Sequence, residues 1–131
     1  MQIPFIKFKS PILAVILLAA LLLGSVFWGI RQGRANANAQ SVYQDSQEIV
    51  KGLDYFFNDQ NRFPTPQEFL DTKILFTYFS RLPNNTPDNS FCSENFIYKR
   101  LDADSYELNF CLAADLGPYR KGWNQLRGSG K

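Results

Sequence analysis

A run of 20 uncharged residues near the start of the chain most constrains its fold. The run extends from Pro11 to Ile30, and all 14 lysines and arginines and all 12 aspartates and glutamates lie outside it. At about 1.5 Å per residue, a helix of this length spans about 30 Å, the hydrocarbon thickness of a bilayer. Ser10 before Pro11 has the pattern of a helix start. The sequence therefore predicts a transmembrane helix over residues 11–30, preceded by a short cytoplasmic segment, residues 1–10.

A cleaved signal peptide is the alternative interpretation of this segment. Lys7 and Lys9 would form its basic start, and Ala35-Asn-Ala37 or Ala37-Asn-Ala39 resembles a cleavage site. The apolar run is longer than the usual core of such peptides. Trp28, near its far end, also suits a membrane–water interface. We therefore expect a retained, single-pass anchor.

The cysteines indicate which side of the membrane the rest of the chain occupies. Lys7 and Lys9 before the run balance Arg31 and Arg34 after it, so positive charge favours neither orientation, apart from a small contribution of the start amine. A pair of cysteines is most useful where disulfides persist, which is outside the cytoplasm. We expect an inner-membrane protein with residues 31–131 in the periplasm or at the cell exterior.

The helix is expected to continue beyond the apolar run. No proline occurs between Ala39 and Asn61, and apolar residues recur there at intervals of three and four, as on one face of a helix. An alternative is two helices with a short joint, because Gly33 could break the helix and Ser41 with Gln44 could cap a second one. We expect one helix of about 50 residues, with an amphipathic half over residues 31–61. The face of this half that packs on the rest of the protein is predicted to contain Ile49, Leu53, Phe56 and Phe57.

Residues 62–131 are predicted to form a small extracytoplasmic α+β head. The prolines of Phe63-Pro-Thr-Pro66 end the long helix, and Thr65 can cap a short one. Residues 95–101 and 105–112 have the composition of two strands, and Asp102-Ala-Asp104 supplies the turn between them. The short helix should bury Phe69, Leu70, Ile74 and Leu75, and the second strand should present Tyr106, Leu108, Phe110 and Leu112 on one face, which the long helix covers.

The last segment, Gly117–Lys131, is rich in glycine and in basic residues. Its aromatic and basic side chains are of the types that stack on and neutralise a single-stranded nucleic acid. Residues 35–131 nevertheless hold 10 basic and 12 acidic groups, a net charge of −2, which favours a solvated tail over a nucleic-acid site. The residues concerned are Tyr119, Arg120, Lys121, Trp123, Arg127 and Lys131.

The order of these features resembles that of type IV pilin-like proteins, the pilins and pseudopilins of pilus, secretion and DNA-uptake machines. Gly52–Pro64 is similar to the family pattern at the end of the long helix, a Leu, a Tyr, an Asp and an aromatic-Pro pair. Leu82-Pro83 resembles the loop before the sheet, and Cys92 with Cys111 matches a cysteine pair of many such heads. The resemblance implies an α+β, pilin-like fold, in which a long N-terminal helix packs on a small antiparallel sheet.

One feature of pilin precursors is missing from the chain. They carry a Gly or Ala, then an aromatic residue or Met where a peptidase cuts, and then a Glu used in assembly. Residues 5–13 contain no such pattern, and the first acidic residue is Asp45. The resemblance therefore supports the fold better than it supports polymerisation.

The side chains that usually carry catalysis or bind metals are scarce. The chain has no histidine, no nucleophile elbow and no phosphate loop, so we expect neither an enzyme nor a cofactor. Cys92 and Cys111 are expected to form a structural disulfide rather than a redox or metal site. Asp102, Asp104 and Glu107 have the oxygen ligands of a calcium loop, but a solvated hairpin is favoured.

Two function classes follow from this combination of features. The first is a membrane-anchored, pilin-like structural or assembly subunit of a type IV pilus, type II secretion or DNA-uptake apparatus. Its partners would be the membrane, other pilin-like subunits or copies of itself, and an assembly platform. The alternative is a membrane-tethered binding module for a partner protein or DNA that does not polymerise. Small residues recur every four positions in the apolar helix, at Ser25, Gly29 and Gly33. This small-residue face would let a neighbouring helix approach closely. Chance in an apolar segment explains the spacing about as well.

Overall fold

The computed structural model describes residues 11–80 and 83–130, which adopt an α+β arrangement. Strand order in the single antiparallel sheet is β1-β2-β3. The predicted fold class is confirmed, since a 50-residue N-terminal helix precedes a small antiparallel sheet. The proposed helix cap Ser10, the basic residues Lys7 and Lys9, and Leu82 and Lys131 lie outside the described residues. The elements are α1 (Pro11–Gln60), α2 (Pro66–Leu70), α3 (Thr72–Tyr78), β1 (Phe96–Arg100), β2 (Ser105–Leu112) and β3 (Gly122–Ser129).

The long helix α1 is uninterrupted, as the sequence predicts. Gly33 does not break it, because one glycine in a helix interior costs only about 1 kcal/mol relative to alanine. The helix ends where Asn61 adopts a left-handed conformation, with φ of 52°, and its N–H donates to the Phe57 carbonyl at 2.7 Å. Two compact units divide the chain, one ending at Arg34 and one starting at Ala35.

The core of the second unit lies between α1 and one face of the sheet. Ile49 and Leu53 of α1 and Leu108 and Phe110 of β2 are fully buried in the same apolar cluster. Such complete burial is expected for β2, which is the central strand. Tyr106 belongs to this cluster, and burial raises the pKa of its phenol to about 12. These residues fix the position of the sheet against the helix.

The segment between α1 and the sheet is held by a capping box. The Thr65 hydroxyl accepts the Glu68 N–H at 3.2 Å, and the Glu68 carboxylate accepts the Thr65 N–H at 2.8 Å. Arg62 donates to both Glu68 carboxylate oxygens at 2.7 Å. These Arg62 hydrogen bonds are the main reason that the pKa of Glu68 falls to about 2. The predicted cap at Thr65 therefore starts α2.

Two short helices occupy the place of the single predicted one. Asp71 ends α2 and starts α3, where its carboxylate accepts the Lys73 N–H at 2.8 Å. A helix of five residues can bury only one side, and Phe69 takes that side by stacking on Tyr98 at 4.4 Å between ring centroids. Leu70 is consequently 74% exposed, so its predicted burial is wrong. Phe69, Ile74 and Leu75 are half-buried.

The C-terminal segment is a strand, and the prediction of a solvated tail is wrong. β3 pairs with β2 along its whole length, from Ser105 opposite Ser129 to Leu112 opposite Gly122. Gly128 lies against the Tyr106 ring, and a Cβ atom at this position would overlap it. Gly128 therefore lets the strand approach a core aromatic ring.

Candidate functional site

The apolar half of α1 presents a continuous exposed surface. Its most apolar 18-residue window has a mean hydropathy of 2.5, and none of that window is buried within the chain. Trp28, at 75% exposure, is among the large exposed side chains of this segment. An apolar surface of this extent needs a cover of lipid or protein. The segment is long and apolar enough to span a membrane, and it is the part of the site that could anchor the chain.

The predicted small-residue face lies on this exposed segment. Apart from its chain neighbours and the adjacent backbone of α1, a Cβ atom built at Gly29 or at Gly33 would meet no atom of the described residues within 4 Å. The Ser25 hydroxyl donates to the Leu22 carbonyl at 2.8 Å, so its hydrogen bond is made within the helix. Because the three residues recur every four positions, they lie along one side of α1 and leave it low enough for another helix to approach.

The predicted packing face of α1 divides between two neighbours. Leu53 is fully buried in the cluster that includes the sheet, and Phe57 reaches the sheet through Phe63, whose ring centroid is 4.8 Å away. Phe56 instead contacts Tyr78 of α3 at 5.0 Å. Consecutive helical residues differ by 100° in direction, so the two neighbouring rings reach different partners. Phe56 is buried, and the ring that it contacts belongs to Tyr78 of α3.

Cys92 and Cys111 are joined by a disulfide with a Cα–Cα distance of 6.1 Å. Cys111 is fully buried in β2 and alternates with the residues that face α1, so its sulfur lies on the other side of the sheet. Cys92 lies in the loop before β1, where its N–H donates to the Asn89 side chain at 2.8 Å. The bond therefore ties that loop to the central strand.

Sequence reasoning missed Phe79, which follows α3 and is buried in the core. Its ring covers Gly52 of α1 so closely that a Cβ atom there would lie 2.7 Å from it. The signal was present in the sequence as a glycine within the amphipathic stretch, where a large side chain from elsewhere could approach. Gly52 thus marks the point at which the segment after α3 crosses the helix.

Polar side chains of the head are arranged for structure. Within residues 11–80 and 83–130, no cluster of three or more His, Cys, Asp or Glu side chains could hold a metal ion. The Asp102 carboxylate accepts the Asp104 N–H at 2.8 Å, and Glu107 bonds to Asn109 and Arg127. An apolar groove of about 320 Å³ lies beside β1 and is lined mainly by residues of α2, α3 and β1.

No protein-family model, no curated protein and no solved structure matches this chain. The likeness to pilin-like proteins consequently rests on the architecture, a long N-terminal helix with a small antiparallel sheet. The described residues thus combine an exposed apolar half of α1 with a disulfide-bonded head.

Proposed function

We propose that this chain is a membrane-anchored, pilin-like structural or assembly subunit of a type IV pilus, type II secretion or DNA-uptake apparatus. The observation that carries this proposal is the single helix α1, which begins as an exposed apolar segment and continues as the helix buried in the head. In this proposal the exposed apolar part of the helix anchors the subunit, and the buried part belongs to the fold of the head.

The proposed location is the inner membrane, crossed once, with the head in the periplasm or at the cell exterior. The length and hydropathy of the 11–30 segment support the crossing. The disulfide supports an oxidising compartment for the head. The proposed partners are lipid, other pilin-like subunits or further copies of this chain, and an assembly platform.

A tethered binding module that does not polymerise is the second candidate function. One observation favours it, the lack of a Gly or Ala, aromatic and Glu pattern in residues 5–13, with the first acidic residue at Asp45. Such a module would use the same anchor and the same head, but its apolar helix would contact lipid only.

Photo-cross-linking from the small-residue face distinguishes the two candidates. Gly29→Cys places a free thiol in a chain whose own cysteines are oxidised, and a benzophenone maleimide can be attached to it in native membranes. If the chain is an assembly subunit, illumination should give protein adducts that contain a second copy or another pilin-like helix. Small residues favour such close helix contacts.

Phe27→Cys is the matched control, because residue 27 is about 160° around the helix from residue 29. It should give mainly lipid adducts. Equal yields of protein adducts from both positions, or lipid adducts alone from residue 29, would contradict the subunit proposal and favour the tethered module.

A further inference from the structure

The outer face of the sheet, away from α1, carries exposed aromatic and basic side chains. Residues directly opposite each other in an antiparallel pair point to the same face. Trp123 lies opposite Cys111, and Lys99 and Arg127 lie on either side of Glu107. Both of these β2 residues alternate with the core-facing ones, so their neighbours on β1 and β3 point outward.

Two exposed rings are neighbours of the disulfide cysteines, one across the sheet and one along the chain. Trp123 is 44% exposed beside Cys111, and Phe91 is 45% exposed next to Cys92 in the chain. The Lys121 ammonium lies 4.8 Å from the centroid of the Phe91 ring. The disulfide ties the 91–92 loop to β2, and Trp123 lies on β3, which pairs with β2, so both rings belong to segments joined to the central strand.

Basic side chains outnumber acidic ones on this surface. Arg127 bonds to Glu107 at 3.2 Å, and Arg120 lies 3.4 Å from Asp115, so each carboxylate is already paired. With Lys99 and Lys121 included, this surface carries a net charge of +2, whereas the rest of residues 35–131 carries −4. We name as the outer patch the residues Phe91, Lys99, Arg120, Lys121, Trp123 and Arg127.

We propose that the outer patch binds single-stranded nucleic acid. The exposed rings of Trp123 and Phe91 offer stacking surfaces to unpaired bases, and the surrounding cations neutralise the phosphates. Trp123 and Arg127 are four residues apart on β3, which is about 13 Å. A base stacked on Trp123 and a phosphate bound by Arg127 would therefore lie at separate points along the nucleic acid. The bases of a duplex are already stacked on one another and cannot reach the rings. The proposal goes beyond the assembly role and does not depend on it.

Fluorescence of Trp123 gives a direct readout of stacking. The full chain, oxidised and in detergent micelles, would carry Trp28→Phe, which leaves Trp123 as its only indole. Titration with single-stranded oligothymidylate should quench the emission saturably. The affinity should fall with salt, with a slope of about −0.7 for each phosphate neutralised.

Variants of the outer patch separate stacking from charge. Trp123→Ala should weaken binding of a fluorescently labelled oligothymidylate, measured by anisotropy, by about 5- to 150-fold, whereas Trp123→Phe should retain most of the affinity. Lys99→Gln combined with Lys121→Gln should reduce the salt slope by about 1.4. Tyr55→Ala and Lys73→Gln remove an exposed ring and an exposed cation from elsewhere in the head, and neither should change binding.

Three results would overturn the proposal. The first is the absence of oligothymidylate binding at low salt in a chain whose disulfide and melting temperature are intact. The second is equal binding of heparin or duplex DNA together with no loss in Trp123→Ala, which would indicate an acidic polysaccharide or a general polyanion surface. The third is a loss in Tyr55→Ala or Lys73→Gln as large as in the patch variants. None of these results affects the cross-linking test of assembly, which reports on α1 alone.

Discussion

Replacing Leu53 by alanine should lower the free energy of unfolding of the head by about 2–5 kcal/mol. Leu53 is fully buried between α1 and the sheet, and truncation leaves a cavity that the surrounding core can fill only in part. A domain of this size has about 5–10 kcal/mol of stability in total, so a large share of it would be lost. Urea unfolding of the oxidised 35–131 fragment, which forms one compact unit, measures the change.

Leu101→Ala is the matched control for this substitution. It removes the same atoms from a side chain that is 54% exposed, and it should change the stability by less than about 0.5 kcal/mol. A different pattern would contradict the architecture. If Leu53→Ala left the unfolding curve unchanged and instead abolished association between chains, this face of α1 would be an intermolecular surface.

Loss of the disulfide should destabilise the head by about 3 kcal/mol, because the bond closes a loop of about 20 residues in the unfolded chain. The pair Cys92→Ala and Cys111→Ala tests this without introducing a buried hydroxyl next to the core. Binding of oligothymidylate by the outer patch should also be weaker in this variant, because the loop that contains Phe91 is no longer bonded to β2.

Reduction provides the control for the disulfide prediction. Dithiothreitol should lower the melting temperature of the native chain towards that of the double variant, and it should leave the variant itself unchanged. In thiol labelling of the unreduced, urea-unfolded protein, neither Cys92 nor Cys111 should react. Two reactive thiols would show that the bond does not form in the protein as it is made.

The long helix, the start of α2 and the first hairpin could be predicted because their signals are local. The stretch without proline from Ala39 to Asn61 and its apolar spacing predicted the continuous α1. Thr65 followed by Glu68 predicted the cap of α2. Alternation in residues 105–112 predicted both β2 and the outward direction of Cys111.

β3 could not be predicted because the residue types at its inward-facing positions are determined by contacts with residues far away in the sequence. Among the positions of β3 that face α1, Leu126 is the large apolar residue, and Gly128 lies against the Tyr106 ring. The sequence of β3 therefore shows little alternation of apolar and polar residues. The outer patch could be predicted only in part for the same reason, because Phe91 and Lys99 were not connected with the aromatic and basic residues of the C-terminal segment. Trp123 and Arg127 were assigned to a solvated tail until their pairing with β2 placed them on one face.

The directions of Phe56 and Phe79 were also set by tertiary contacts. Helical periodicity places Phe56 next to the buried face of α1, but only the position of α3 shows that Tyr78 covers it. Phe79 follows a helix of seven residues, which is too short for its apolar spacing to define a face.

Retention of the apolar helix is the central claim, and the mass of the mature protein in membranes tests it most directly. Mass spectrometry of the membrane fraction, washed with alkaline carbonate, should still find residues 1–30 as part of the mature chain. A carbonate-extractable protein whose N-terminus lies near Asn38 or Gln40 would show instead that the segment is a cleaved signal peptide. The head would then be a soluble secreted protein.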